Sequence, residues 1–526
     1  YYQTTGNIVW QANLLNNLGV LHTISGEYES ALSELERSIA YAKMGGYLRL
    51  EGYALVSLGD MFRDLRAYKE AEEAYTKADA ILSQINDALL EYYSNLSLGE
   101  LELARGRHNR ARELIESAQE IARQTGSNYE IHLCQISVGR LAFLHNNLQA
   151  VLREVPPALE FFSSEGHHFE ACKCRLLIGL AQYASGNFQT GKQRLLEVLE
   201  QLRSGKMDSL LANTRHLLEL TLNRQGETGQ DQAAISPWLA ELWDQIDRFE
   251  KRLPLLRKVL RRQSQIVPLS PPELTILTFG KTQVKIGDHV ITGMEWKSQN
   301  ARDLMLLLLL HPEGKTKEEV GAIFWPDSSP AELKLRFKNT IYRLRHAAGK
   351  DVILFEDDIY TFNHGMDYEA DFETFTREIS SATASQNVDE QINHYRSALK
   401  LYKGTFLPDL AEEWVLTDRE RFHQMYLTGM LRLAELHLDQ GEFNAALAVA
   451  SQLLADDPCN ENMVRIAMRA HAATGNLAAV VRQYELCVQS LREEFGTRPS
   501  AQTAELFSTL SRPKRGHKFN PDTAKA

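Results

Sequence analysis

Apolar residues along the first two-fifths of the chain follow a pattern that repeats every 40 residues. Glycine marks the same point of five successive units, each time after an apolar residue, and small residues form two further series of the same period. The three series are Gly19, Gly59, Gly99, Gly139 and Gly179; Ala31, Ala71, Ala111, Val151 and Gly191; and Ser38, Ala78, Ala118, Ala158 and Val198. Each unit is therefore predicted to form two helices joined by a short turn. Because one pair cannot bury its apolar stripe alone, five stacked pairs are expected to form an α-solenoid with one continuous core.

The repeat unit resembles the tetratricopeptide repeat with lengthened helices. The shared pattern is Leu-Gly, eight or nine residues, Tyr or Phe, and then Ala, over about residues 7–222. A sixth, degenerate unit is expected from Met207 to Arg224, followed by the polar stretch Gly226–Gln232. The solenoid is assigned to residues 1–226. Its concave surface would bind an effector, and a peptide, a protein and a small molecule all remain open as alternatives.

The periodicity changes after residue 226. Residues 227–271 are interpreted as a connecting region, with one long helix over 233–263 and a linker rich in proline. The prolines are Pro268, Pro271 and Pro272. Short β-rich runs then predict a small sheet at Leu274–Phe279, Thr282–Ile286 and Val290-Ile291.

Three helices are predicted after these strands. The first covers Gln299–Leu310, the second begins after the cap Thr316 and ends at Phe324, and the third begins after the cap Ser329 and ends near Gly349. Glutamate three residues after each cap completes a capping box, and Pro330 occupies the first helical position of the third helix. A short turn between the last two helices is typical of a helix-turn-helix.

The third helix is basic on its exposed side. Leu333, Phe337, Ile341 and Leu344 recur at helical spacing and are expected in the core, whereas residues 331–350 hold six Lys or Arg and one acidic residue. Cations on an exposed helix suit guanine and phosphate recognition. The residues expected to read base edges are Arg336, Asn339, Thr340 and Arg343. Those expected to hold phosphates are Lys334, Lys338, Arg345, Lys315, Lys317, Thr316, Ser329, Lys350 and Thr361.

Residues 272–365 resemble the OmpR/PhoB-type winged helix. The match is carried by Trp296, Leu306–Leu310, Phe324-Trp325-Pro326 and Tyr342-Arg343-Leu344-Arg345, together with a hairpin formed by Val352–Phe355 and Ile359–Phe362. The resemblance implies that the third helix enters the major groove of double-stranded promoter DNA and that the hairpin, the wing, touches the minor groove. Three acids at the wing tip would repel phosphate, so contact through Lys350 or Thr361 is expected instead.

The last third of the chain, residues 366–510, resembles the bacterial transcriptional activation domain of the Streptomyces antibiotic regulatory protein family. The resemblance is carried by Asp371-Phe372, Tyr402-x-Gly404-x-Phe406-Leu407, Trp414, Arg419 and Arg421, and a 34-residue period links Gly441 to Gly475. It implies a transcriptional activator that contacts RNA polymerase and binds DNA, usually as a homodimer. Residues 511–526 are expected to form a disordered basic tail.

The composition of the chain excludes several classes of function. The 526 residues include 58 Lys or Arg and 69 Asp or Glu, so a nucleic-acid site must be a local patch in a chain of formal charge -11. Five scattered cysteines favour a reducing compartment, and the longest apolar run, Leu304–Leu310, is too short for a membrane span. We expect a mainly α, cytoplasmic protein without a membrane partner. The start at Tyr1 indicates a fragment whose upstream part is missing.

Candidate catalytic and metal chemistry is weak. Gly186–Gln193 approaches a phosphate-binding loop, but no strand precedes it and Gln193 replaces the hydroxyl residue that the motif requires. His168 and Cys172 share a helix face, which provides two of the four ligands that zinc usually takes. We therefore expect no enzyme, no cofactor and no metal. The alternatives to a DNA-binding regulator are a scaffold that uses its winged helix to bind protein, and the output half of a larger signalling ATPase.

Overall fold

The computed structural model describes residues 8–204, 207–224, 237–411 and 413–511. The chain divides into two compact units, one of residues 1–272 with 364–367, and one of residues 273–363 with 368–526. The predicted polar stretch after Arg224, the first residues of the helix predicted from 233, and the predicted tail after Ser511 lie outside the described residues.

The first unit begins with five antiparallel helix pairs, as the 40-residue pattern predicts. The helices are α1 (Ile8–Ser25), α2 (Tyr28–Gly45), α3 (Leu48–Asp64), α4 (Tyr68–Ile85), α5 (Ala88–Ala104), α6 (His108–Thr125), α7 (Asn128–Leu144), α8 (Leu148–Ser164), α9 (His168–Ala184) and α10 (Phe188–Arg203). They form the tetratricopeptide-like solenoid. The predicted sixth unit is a short 3₁₀ turn at Asp208–Leu211 followed by one helix, α11 (Arg215–Arg224).

The glycine series lies where the two helices of a pair are closest. A Cβ built on Gly19 would lie 2.5 Å from Leu35, and one built on Gly99 or Gly179 would lie 2.9 Å from Ile115 or Leu195. Real side chains do not approach so closely, so each pair packs at a distance that only glycine permits. The small residues of the two other series are buried in the second helix of each pair.

The last part of the first unit contacts the first two helix pairs of the solenoid. Its long helix is α12 (Pro237–Gln263), and we call residues 207–224 together with 237–270 the closing segment. The carboxylate of Glu36 accepts hydrogen bonds from the backbone N–H groups of Gln265 and Ile266 at 2.7 and 2.9 Å. The Glu70 carboxylate accepts from Ser270 N at 2.7 Å. The closing segment is therefore attached to α2 and α4.

The second unit begins with two small sheets and four helices. The strands are β1 (Leu274–Leu277), β2 (Gln283–Ile286), β3 (His289–Val290), β4 (Lys315–Thr316), β5 (Ile353–Glu356), β6 (Ile359–Phe362) and β7 (Tyr368–Ala370). They are ordered β3-β2-β1-β7 in one sheet and β4-β6-β5 in the other. The helices between them are α13 (Gly293–Trp296), α14 (Gln299–Leu310), α15 (Lys317–Phe324) and α16 (Pro330–Ala348). β7 pairs in parallel with β1, so residues after 366 complete the leading sheet.

Helices form the remainder of the second unit. They are α17 (Asp371–Ala384), α18 (Val388–Leu401), α19 (Leu416–Asp439), α20 (Phe443–Asp456), α21 (Glu461–Ala473), α22 (Leu477–Phe495) and α23 (Ala501–Ser511). The 34-residue period places Gly441 and Gly475 in the turns before α20 and α22, where both have φ of 77°. That region of φ favours glycine. None of the helices in the described ranges combines the length and hydropathy that a bilayer span requires.

Candidate DNA interface

Helices α15 and α16 begin at the predicted caps. The Thr316 hydroxyl accepts from Glu319 N, and the Ser329 hydroxyl accepts from Glu332 N. The glutamates bond back: the backbone N–H and hydroxyl of Thr316 lower the pKa of Glu319, and the hydroxyl and backbone N–H of Ser329 lower that of Glu332. A phosphate at either N terminus would meet a carboxylate. Thr316 and Ser329, predicted as phosphate contacts, are thus occupied as caps.

Helix α16 presents its predicted cations to solvent. Lys334, Arg336, Lys338 and Asn339 are exposed, and Arg343 is half-buried. Phe337, Ile341 and Leu344 are buried as expected, whereas Leu333 is half-buried and fills the space beside Gly321 of α15. Arg336, Asn339 and Arg343 therefore stay base-reading candidates, and Lys334 and Lys338 stay phosphate candidates.

Thr340 is a wrong prediction. Its side chain is 5% exposed, and its hydroxyl donates to the Arg336 carbonyl at 2.9 Å. It lies three residues after Phe337 and one before Ile341, which places it on the core side of the helix. A buried hydroxyl with an intrahelical partner does not read a base edge.

Arg345 also makes a contact within the protein. Its Nη2 donates to the carbonyl of Ile353 at 3.0 Å, which ties α16 to the first strand of the wing. Its Nε is buried and has no hydrogen-bond partner among the described residues. Arg345, predicted to hold a phosphate, therefore positions the wing in this structure.

Two large side chains on α16 were not predicted as contacts. Leu335 is 62% exposed and Tyr342 is 67% exposed, and both lie on one face with Asn339 and His346. Positions 335, 339, 342 and 346 follow helical spacing, so this face could have been found in the sequence.

The wing is a tight hairpin with an acidic tip. Glu356 pairs with Ile359, and the two residues between them, Asp357 and Asp358, have φ of 49° and 63°. Positive φ at both positions is typical of a type I′ turn. Lys350 is exposed at the base of the wing, and Thr361 is half-buried on β6. Lys315 and Lys317 are half-buried, and Lys317 pairs with Glu318 at 3.0 Å.

The residues that carried the activation-domain resemblance meet at the end of β1. The buried carboxylate of Asp371 accepts hydrogen bonds from Thr278 N at 2.8 Å, from Thr278 Oγ1 at 2.5 Å and from Phe279 N at 3.1 Å. Burial raises the pKa of Asp371, and the bonds from Thr278 and Phe279 oppose that rise. Asp371 therefore links the leading sheet to α17.

Arg419 organises the loop before α19. Its guanidinium donates to the carbonyls of Phe406, Leu407 and Leu410 at 2.7–2.9 Å. Phe406 packs against Phe422 with ring centroids 4.5 Å apart. Arg421 differs: it is exposed and pairs with Asp418 at 2.8 Å. Most of the recognised residues thus have a structural role.

The segments that suggested a phosphate-binding loop and a metal site do not form such sites in the structure. Gly186 lies in a turn at φ 90°, and Gly191 lies within α10 against the backbone of Tyr183. Cys172 is buried, which raises its pKa to about 11, and His168 is exposed. Within the described ranges, no group of three His, Cys, Asp or Glu side chains could hold a metal ion.

Comparison with known families identifies two parts of the chain. Residues 370–510 match the family described as bacterial transcriptional activator domain, and residues 15–84 match the tetratricopeptide repeat family. A search of curated proteins found no match.

Three solved structures show partial similarity. EmbR of Mycobacterium tuberculosis, solved with a low-affinity phosphopeptide, has 16% identity and a TM-score of 0.39, over 45% of this chain and 65% of that one. The tetratricopeptide domain of P58(IPK) has 13% identity and a TM-score of 0.21, over 80% and 97% of the two chains. A circular tandem repeat protein has 13% identity and a TM-score of 0.13, over 96% and 98%. The chain thus spans just under two-thirds of EmbR, and all three TM-scores are too low to define its overall arrangement. The two family matches, over residues 15–84 and 370–510, support a bacterial transcriptional regulator.

Proposed function

We propose that this chain is a sequence-specific DNA-binding regulator that activates bacterial transcription. The observation that carries the proposal is the exposed basic face of α16, which belongs to the same compact unit as the matched activator domain. Helix α16 would read the major groove, and residues 370–510 would contact RNA polymerase. The resemblance to OmpR/PhoB-type winged helices supports this docking.

The contacts divide into two classes. Arg336, Asn339 and Arg343 would bond base edges, and bidentate arginine favours guanine. Lys334, Lys338 and Lys350 would contact phosphates, which supply affinity without sequence information. The acids of the wing tip would lie away from the backbone, since phosphate repels them.

Selection from a randomised duplex library, followed by salt-dependent titration of the best duplex, tests the proposal. We expect a short enriched motif and a steep loss of affinity with salt. Arg343→Ala should cost about 1–3 kcal/mol on the selected site, and Lys338→Ala should flatten the salt slope by about one unit. Arg396→Ala, an exposed change on α18, is the matched control. Two half-sites in direct repeat would indicate a homodimer.

The contradicting outcome is equally specific. If the folded protein enriches no motif, or binds DNA weakly without dependence on salt or on Arg343, then α16 does not read DNA. The scaffold alternative would then be preferred.

A further inference from the structure

The inner face of the solenoid encloses a cavity of about 600 Å³. The first helix of every pair, α1, α3, α5, α7 and α9, contributes to its wall. The closing segment completes the wall through Ser209, Leu210, Asn213, Thr214 and Leu217. Pockets for small organic molecules have volumes of this order.

Polar residues recur along this wall with the 40-residue period. Asn17, Ser57, Ser97 and Ser137 form one series, and Asp60, Glu100 and Arg140 form another. The buried residues that pack between these helices are mainly apolar. Ser97 and Ser137 are buried and the other members are half-buried, except Asn17, which is exposed. The two series therefore give the inner face a polar surface.

The cavity wall holds two half-buried ion pairs, and each guanidinium group has one N–H without a hydrogen-bond partner among the described residues. Glu100 accepts from Ser137 Oγ at 2.5 Å and pairs with Arg140, and Asp60 accepts from Arg63 Nη1 at 2.6 Å. Burial opposes the Glu100 charge, yet Arg140 and Arg63 lower the pKa of this carboxyl. The Nε atoms of Arg63 and Arg140 are buried without hydrogen-bond partners in the described part of the chain.

Lys173 adds a third cation to the wall, which also carries Arg63 and Arg140. Its ammonium lies 4.3 Å from the centre of the Phe169 ring. Among the described residues Lys173 forms no ion pair, although its charge acts on the carboxylates of Asp64 and Glu100 from a longer distance. Among the buried side-chain atoms of the described residues, the wall has one acceptor without a hydrogen bond, Asn16 Oδ1, and two such donors, Arg63 Nε and Arg140 Nε. These donors favour a ligand that supplies acceptor oxygens.

We propose that this cavity binds a small organic monocarboxylate with a partly apolar body. Lys173 holds the carboxylate, and the Arg63 and Arg140 Nε–H groups bond neutral oxygens of the ligand. Leu133, Ile136 and Leu177 pack against its hydrocarbon part. Among the described residues, Asp60 and Asp64 pair with Arg63, and Glu100 pairs with Arg140. Glu170 has no ion pair among these residues, so it disfavours a second negative charge on the ligand.

The closing segment decides between a small molecule and a peptide. Ser209 bonds the Asp64 carboxylate, and Asp208 pairs with Arg252 at 2.8 Å, so residues 208–217 occupy the open side of the groove. An extended peptide along the inner face would have to displace them. A small acid fits beside them.

Calorimetry with the full chain and defined probes tests the proposal. The probes are hexanoate and 4-hydroxyphenylacetate, each beside its neutral amide, with adipate as the dicarboxylate and an unstructured ten-residue peptide as competitor. We expect at least one monocarboxylate to bind, and to bind more tightly than its amide and than adipate. Lys173→Met should weaken that binding about 10- to 100-fold. Lys192→Met, on the exposed side of α10, should leave it unchanged.

Three outcomes would overturn the proposal: amides that bind as well as acids, a Lys173→Met variant with wild-type affinity, or binding of the peptide alone. Circular dichroism establishes that the variants are folded. If Lys173→Met does not fold, Lys173→Gln and Lys173→Arg replace it, and only the arginine variant should retain binding. None of these measurements involves DNA, so failure here is distinct from failure of the proposed regulator.

Discussion

Glycine, which has a hydrogen where alanine has a methyl group, sets the distance between the two helices of each pair in the solenoid. The Cβ of an alanine at position 99 would lie 2.9 Å from Ile115 Cγ1. We expect Gly99→Ala to destabilise the protein by about 1–3 kcal/mol through overpacking, although alanine favours helix. Urea denaturation of the full chain measures this change. Glu116→Ala, exposed on α6, is the control and should have little effect.

The Glu100–Arg140 ion pair makes the stability of the first unit depend on pH in the acid range. The folded-state pKa of Glu100 lies below its ordinary value of 4.5. The ionised group therefore contributes stability above pH 4.5, and that stability is lost as the pH falls through the lower folded-state value.

Glu100→Gln should remove this contribution and leave Arg140 unpaired, at a cost of about 2–4 kcal/mol near pH 7. The difference in unfolding free energy between wild type and variant should shrink below pH 4.5. A difference independent of pH would contradict the assignment, and Glu116→Gln serves as the control.

Thr340 and Tyr342 separate the core side of α16 from its proposed DNA side. Thr340→Val should leave DNA affinity within about twofold and change stability by less than about 1 kcal/mol, since the hydroxyl bonds only its own helix. Tyr342→Ala should weaken DNA binding without loss of stability, because the ring is 67% exposed. Fluorescence anisotropy with the selected duplex measures both. The reverse ranking would place the DNA side elsewhere.

At the scale of elements, capping residues made the helix ends predictable. The bounds of α14, α15 and the start of α16 agree with the caps and with Pro330. Two-residue strands such as β4 were not predicted, because Lys315-Thr316 is extended only through pairing with Tyr360 and Ile359. The pairing of β7 with β1 was missed for the same reason, since a parallel partner distant in sequence leaves no local pattern.

The contact between the leading sheet and α17 depends on one carboxylate. Asp371→Ala would leave the N–H groups of Thr278 and Phe279 without their acceptor. We expect a loss of about 2–4 kcal/mol in thermal or urea denaturation. Asp389→Ala, exposed in the first turn of α18, should cost far less. Equal effects would mean that the Asp371 bonds contribute little.

At the scale of the whole molecule, the sequence predicted the repeats and the domains but not the cavity of the solenoid. A fixed 40-residue period predicts the solenoid because each pair buries the same positions. The cavity depends on the closing segment, which has no period and contacts helices that precede it by some 200 residues. The sequence therefore predicts a binding surface and leaves its shape undetermined.

A wall supplied by later residues also links the cavity to the order of protein synthesis. Domains generally begin to fold from the N-terminal end while the chain is still emerging. The five helix pairs leave the ribosome before residues 208–270, and for that interval their inner face is an open groove. Residues 208–217 and then α12 emerge afterwards and close it. A small acid present during translation would therefore meet an open groove before it meets the finished cavity, so binding of the ligand and docking of the closing segment would be coupled during synthesis.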